Sequence, residues 1–244
     1  MKKLIAILLA GMMLLLSVNL ATAEGTASVK AGDIVTFGHY PQTAEGTDET
    51  PIEWIVLEVK DGKALVISRY GLDAKPYYLE LADVTWEYCS LRNWLSSDFL
   101  NAAFSPEEQA AIPVTEVDNS ADQGFSEWYS IGGNNTQDQV FLLSCTEANR
   151  YFGVTRKKNP GARVAPTAYA AGRGALTNAK ALTEDGAEAG YWWLRSPGYH
   201  QDSAAHVTND GSFYYKLVNF NSGVVRPAMW LDLESEIFRS ENPR

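Results

Sequence analysis

The sequence predicts an α+β domain made mainly of antiparallel strands, with two or three short helices and long loops. Three observations carry this expectation. β-Branched and aromatic runs gather at both ends of the chain, the dipeptide Asp61-Gly62 joins two of them as a hairpin, and two serine-led capping boxes start helices in between. Strands first, helices next and strands again is the order of an α+β fold rather than of alternating βαβ units.

Residues 33–37, 52–59 and 64–68 read as strands, the last two paired across Asp61-Gly62. Leu91, Trp94, Leu95 and Phe99 then fall at helical spacing behind Ser90, which can cap the helix. Ser105-Pro106-Glu107-Glu108 is a capping box with proline at the first helical position, and Pro113 stops that helix. Residues 139–143 read as a buried strand. Ser144-Cys145-Thr146-Glu147 is a second capping box, opening a helix that carries Tyr151 and Phe152. A third short helix is expected from Pro166 to Tyr169. The last third holds strands at 191–195, 204–208, 213–218 and 224–231, with Asn209-Asp210-Gly211-Ser212 as a hairpin turn. Pro227 lacks a ladder donor, which places it at a bulge or an unbonded edge position. Cys89 and Cys145 flank apolar elements, where a thiol serves as a small buried hydrophobe.

Lys2 and Lys3, an apolar run through Leu16 and Ala21-Thr22-Ala23 form a secretory signal pattern. The run is shorter than the roughly 20 apolar residues that span a bilayer. Residues 1–23 are therefore assigned as signal peptide, 24–31 as linker, 32–233 as one domain and 234–244 as a polar tail, and the protein is expected to be secreted. With 20 Lys and Arg against 30 Asp and Glu, the formal charge is −10. So acidic a chain has no general attraction for phosphate backbones or anionic lipid, which removes nucleic acid and membranes as partners.

Phe37-Gly38-His39-Tyr40-Pro41-Gln42, Pro51-Ile52-Glu53-Trp54, Trp86-Glu87, Leu91-Arg92-Asn93-Trp94-Leu95, Phe141-Leu142-Leu143-Ser144, Trp193-Leu194-Arg195-Ser196-Pro197-Gly198 and Val225-Arg226-Pro227-Ala228 occur in this order. Together they resemble a domain family of unknown function found in exported proteins of gut-dwelling Gram-positive bacteria. More distantly, Leu194-Arg195-Ser196 followed by Val225-Arg226-Pro227-Ala228 resembles the C-type-lectin-like fold of formylglycine-generating-enzyme relatives. That resemblance implies a single C-type-lectin-like domain. It carries no catalysis with it: no cysteine lies beyond Cys145, and His39, His200 and His206 do not form the three-histidine pattern of iron-dependent relatives.

Hydrolase and nucleotide motifs are absent: G-x-S-x-G, S-x-x-K, H-E-x-x-H and the phosphate-binding P-loop do not occur. The segment 118–138 is long, without periodicity, and sets Phe125, Trp128 and Tyr129 among polar residues. Trp128 and Tyr129 are candidates to stack on a sugar ring, although the burial habit of tryptophan favours an inward, satellite-core placement. Tyr199, His200, Asn209, Asp210, Tyr214 and Asn221 lie at or beside the loops of the last third and form a second candidate surface. Arg195 and Arg226, in apolar strands, need either an internal partner or a bound anion, and internal satisfaction is the better expectation.

Asp118, Asn119, Asp122, Asn134, Asn135 and Asp138 could offer hard oxygens to calcium, but their spacing matches no EF-hand and ordinary Asx turns account for them. His200, Asp202 and His206 could meet a transition metal, with solvated loop side chains the plainer reading. No cofactor is therefore expected. The functional expectation is a secreted, non-catalytic binding module for a glycan, a cell-wall fragment or a protein surface, acting through loops 118–138 and 196–223. The alternative is an extracellular hydrolase with dispersed carboxylates or His206 at its centre.

Overall fold

The computed structural model describes residues 29–125, 127, 128 and 130–239; the expected signal peptide, most of the linker, the end of the tail and Tyr129 fall outside them. In chain order the first seven strands are β1 (Ile34–His39), β2 (Pro51–Lys60), β3 (Lys63–Ser68), β4 (Asp73–Ala74), β5 (Thr115–Val117), β6 (Thr136–Asp138) and β7 (Val140–Phe141). Then come β8 (Thr177–Leu182), β9 (Glu188–Gly190), β10 (Trp192–Pro197), β11 (Ser203–Val207), β12 (Phe213–Leu217), β13 (Val224–Val225) and β14 (Ala228–Asp232). The α-helices are α1 (Ser90–Trp94), α2 (Leu100–Ala103), α3 (Pro106–Ala110), α4 (Cys145–Phe152), α5 (Ala168–Gly172) and α6 (Glu236–Arg239). The architecture is mixed α+β with mostly antiparallel pairing.

One five-stranded sheet has the order β1-β2-β3-β14-β7 and is antiparallel throughout. Its nucleus is local. Asp61 and Gly62 hold φ of 51° and 72°, the left-handed pair whose twist suits adjacent antiparallel strands. Ile52, Trp54 and Val56 then alternate inward along β2. The helical run covers this sheet with Leu91, Leu95 and Phe99 buried, and a π-turn at Leu95–Phe99 separates α1 from α2. Its cap differs from expectation. The Cys89 thiol, not Ser90, accepts from the Arg92 amide.

A second five-stranded sheet has the order β12-β11-β10-β13-β4, with β10 and β13 parallel and the other pairs antiparallel. Its strands β10 and β11 are buried along their whole length. The run 224–231 is not the single strand expected. Val224 and Val225 pair in this sheet, and Ala228–Asp232 pair in the other, so Arg226-Pro227 is the crossing between them. The missing N–H of Pro227 costs nothing there, because it falls where the ladder changes sheet. The antiparallel partner segment makes the same crossing: Ser68 donates its amide to the Pro227 carbonyl at 2.9 Å and Leu72 donates to Val225 at 2.9 Å. Gly71 permits the contact, since a Cβ there would lie 1.9 Å from Val224.

Both capping boxes form, Ser105 with Glu108 and Ser144 with Glu147. The third helix starts at Ala168 with Thr167 as its cap, two residues after the expected proline. Pairs β5–β6 and β8–β9 were not anticipated from the sequence. The buried side chains of both sheets and the helices form one contiguous cluster, with Trp54, Trp86, Trp192 and Trp193 among its largest members. The region expected to be a polar tail contributes α6, whose Phe238 packs 5.6 Å from Phe37. Cys89 and Cys145 are free and buried, and burial pushes both thiols up to about 12.

Candidate functional site

The segment 118–138 is closed at its base by β5–β6, where Thr115 faces Asp138 and Val117 faces Thr136. Within it, Asn119 donates to the Asn134 carbonyl at 3.0 Å and its amide donates to Asn135 Oδ1 at 3.0 Å. Gly132 allows the return strand to close in, because a Cβ there would sit 1.9 Å from the Asn119 carbonyl oxygen. Asp138 is buried and takes Arg92 Nε at 2.7 Å, Trp86 Nε1 at 3.0 Å and Thr136 Oγ1 at 2.7 Å. Asp118 accepts from the Ser120 amide and from Gln123, which holds its carboxyl below the usual range. The oxygens considered for calcium thus serve the loop's own hydrogen bonds in several cases. Among the described residues no three His, Cys, Asp or Glu side chains gather so as to hold a metal ion.

The same loop is tied to the turn after β10. Ser130 donates its hydroxyl to the Gly198 carbonyl, Ile131 donates its amide to Gln201 Oε1 at 2.8 Å, and Ser196 Oγ donates to the Gln123 carbonyl at 2.6 Å. The two loop regions singled out in the sequence are therefore neighbours. Their inner faces are aromatic: Phe125 lies 5.0 Å from Trp128 and 5.8 Å from Phe213, and Trp128 meets Tyr215 edge-on at 5.6 Å. Trp128 is only 9% exposed. It is the inward satellite core rather than an open stacking platform, because its own loop and the β11–β12 hairpin supply enough apolar surface to cover it.

The open platform lies beside it. Tyr214 and Tyr199, 54% and 41% exposed, flank half-buried Tyr215 with ring centroids 4.9 and 5.9 Å away. His200 stands edge-on to Tyr199 at 4.8 Å and is exposed. This cluster is positioned by β12, the outer strand of its sheet, and by the short turn in which Ser203 Oγ donates to the His200 carbonyl at 2.6 Å. Tyr215 was not among the residues expected to bind; the Tyr214-Tyr215 doublet on a terminal strand was the available signal. Between the 118–138 loop and α4 runs a cleft of about 640 Å³, floored by Phe125, Val154 and Phe213. Arg156 and Glu127 form an ion pair of 3.0 Å at this cleft, and the Arg156 guanidinium covers the Phe125 ring at 4.9 Å. Its size falls within the roughly 300–1,000 Å³ of small-molecule sites.

The other expected residues are elsewhere. Asn209 and Asp210 occupy the β11–β12 turn. Burial opposes ionisation of Asp210, but Thr208 and Ser212 donate to it and hold its pKa below the usual range. Asn209 is buried with no partner for Nδ2 among the described residues, and Asn221 is exposed beside Ser222. Arg195 is 2% exposed and is a structural residue: its Nη1 and Nη2 grip Glu147, and they also donate to the carbonyls of Leu142 and Asp118 at 2.9 and 3.0 Å. Arg226 is equally buried, but among the described residues no acid pairs with it. Its Nε donates to the Ser68 carbonyl at 2.9 Å, its guanidinium lies 4.9 Å from the ring centres of both Phe152 and Trp192, and burial pushes its pKa down to about 9.

His206, the candidate base of the hydrolase reading, is 1% exposed, and neither ring nitrogen has a partner among the described residues. Burial, with Lys216 adding to it, lowers its pKa to about 3, so at neutral pH it is an uncharged ring among Tyr191, Trp193 and Tyr214. The carboxyls with displaced proton affinity, Asp48, Asp118, Asp185 and Asp210, all move downward, the opposite of what a general acid needs.

Fold and site together define a mixed α+β domain whose two neighbouring loops frame an aromatic surface and a cleft. The chain belongs to the family described as Domain of unknown function (DUF6273), whose model matches residues 61–233. The match begins at the β2–β3 turn, so β1 and β2 precede it while completing the same sheet. No curated protein and no solved structure matches the chain. No helix among the described residues is long and apolar enough to cross a membrane.

Proposed function

We propose that the chain is an exported, non-catalytic binding module for a glycan, a cell-wall fragment or a protein surface. The observation that carries this reading is the Tyr199–Tyr215–Tyr214 cluster on an outer strand, with His200 at its end. Tyrosine faces bury the apolar face of a sugar or a partner's side chain at little entropic cost, while their hydroxyls stay free for hydrogen bonds. The cleft beside the 118–138 loop supplies a concave neighbour for a ligand that extends beyond one ring. Export rests on the basic, apolar and Ala21-Thr22-Ala23 segments, which lie outside the described residues. The reading includes a C-type-lectin-like fold, supported by the order of the Leu194-Arg195-Ser196 and Val225-Arg226-Pro227-Ala228 segments.

A glycan array and a pull-down with the purified chain test the reading. Tyr199→Ala and Tyr214→Ala are the informative variants, because both rings are exposed and their loss opens no interior cavity. Each should weaken a detected interaction about tenfold, the size of one lost stacking contact. A blank array and pull-down, or an interaction that both variants leave intact, would overturn it.

A further inference from the structure

Among the described residues two arginines are buried, and one of them has a counter-ion. Arg195 holds Glu147, whereas among the described residues no carboxylate lies within ion-pair distance of Arg226. Its Nε is used by the Ser68 carbonyl, while Nη1 is buried without a partner among the described residues. Phe152 and Trp192, which meet edge-to-face at 6.0 Å, each bring a ring centre to 4.9 Å from the guanidinium, so aromatic surface rather than an acid lies against the charge.

Arg226 lines a cleft of about 210 Å³ that also receives Arg69 and Arg163 and is walled by the β8–β9 turn. Arg163 repeats the pattern: Nη1 donates to the Leu182 carbonyl at 2.8 Å, and its Nε is buried without a partner among the described residues. Arg69 is engaged by Glu53 at 2.8 Å. Glu184 and Asp185 also line the cleft and are exposed. Arg226, from the sheet crossing, and Arg163, from the segment before α5, both line this one small cavity, and each keeps guanidinium N–H donors that no described protein group accepts, the donor set of an oxyanion site.

We infer that this pocket binds a carboxylate, as the acid group of an acidic sugar or of a peptide C-terminus. A single flat carboxylate suits a guanidinium edge, and the volume admits such a group with a few further atoms. Glu184 and Asp185 favour a monoanion with an uncharged remainder over a phosphate dianion, because like charges would crowd the mouth. The Thr183 hydroxyl keeps the Asp185 carboxyl below the usual range, so that filter operates throughout neutral pH. The pocket shares no lining residue with the tyrosine cluster, and either site can fail without the other.

Titration of the purified chain by calorimetry, at constant ionic strength in chloride, tests the inference. The probes are acetate, glucuronate and an acetylated dipeptide acid, with glucose, the dipeptide amide and inorganic phosphate as controls. Binding of the acids and not of their neutral counterparts is expected, with phosphate weaker. Glucuronate exceeding acetate points to a sugar source, and the dipeptide acid exceeding acetate to a peptide source. Arg226→Met should weaken binding by about tenfold or more. Arg163→Gln, at a half-buried position that keeps the core intact, should do likewise, and Glu184→Gln should strengthen phosphate binding. If no acid binds, if the neutral analogues bind equally, or if Arg163→Gln leaves affinity unchanged in a folded protein, the inference is wrong.

Discussion

Removing the Glu147 carboxylate is the most demanding test of how this site is built. Glu147 Oε2 accepts from the Ser144 amide at 2.9 Å, completing the capping box of α4, and both its oxygens grip Arg195. Arg195 in turn donates to carbonyls at the end of the buried Val140–Leu143 stretch and at the start of the 118–138 loop. Breaking a buried ion pair by deleting one partner costs about 3–5 kcal/mol, and losing a cap about 1 kcal/mol. The Glu147 side chain is 27% exposed, so solvent screens part of the charge, and Arg195 keeps its two carbonyls. Glu147→Ala should therefore destabilise the fold by about 3 kcal/mol. For a chain of this size that lowers Tm by roughly 6–12 °C. Urea denaturation and calorimetry of Glu147→Ala, Arg195→Met and the double variant measure it as a cycle. The double variant should recover much of the loss, because it buries no unpaired charge. A Glu147→Ala cost below about 1 kcal/mol, or additivity of the two single changes, would refute this account of the loop anchor.

Two further outcomes follow from local geometry and titration. Gly211 has φ +84° and a Cβ there would lie 1.8 Å from the Asn159 carbonyl oxygen, so Gly211→Ala should cost at least about 2 kcal/mol in urea denaturation. Gly172→Ala, with nothing within 4 Å of the added carbon and no positive φ, should be neutral or slightly stabilising; equal effects at both positions would discredit the steric reading. His206 has a folded pKa lowered to about 3 from 6.5, so the unfolded chain binds the proton first as pH falls. Its contribution is complete above about pH 6.5 and is lost as pH drops toward 3, amounting to about 2 kcal/mol between pH 7 and 5. His206→Phe should flatten stability across that interval, and parallel pH curves for the two proteins would contradict the burial of a neutral ring.

What could be read from sequence was what short-range chemistry decides. Asp61-Gly62 turned a hairpin, Ser105-Glu108 and Ser144-Glu147 closed their boxes, and Asn209 to Ser212 joined β11 to β12. What depended on distant partners was not legible. Nothing local to Val224–Leu231 announces that Arg226-Pro227 passes from one sheet to the other, since the crossing is shaped by Ser68 and Gly71 on another segment. The two- and three-residue strands β4, β5, β6 and β9 are too short for a period to show. In the candidate site, Trp128 was settled by Phe125 and Tyr215, and Arg195 by Glu147, contacts that only the tertiary fold supplies. The proximity of the 118–138 and 196–201 loops comes from hydrogen bonds such as Ile131 to Gln201, seventy residues apart.

The central claim is that the outer edge of β12 and the turn before β11 receive the ligand. Amide and aromatic NMR shifts, followed while an array or pull-down hit is titrated into the isotope-labelled chain, address it most directly. The account predicts saturable shifts centred on Tyr199, His200, Tyr214 and Tyr215, spreading to the rim of the adjoining cleft at Arg156. Shifts confined to the opposite side of the fold, around β1 and α3, would contradict it.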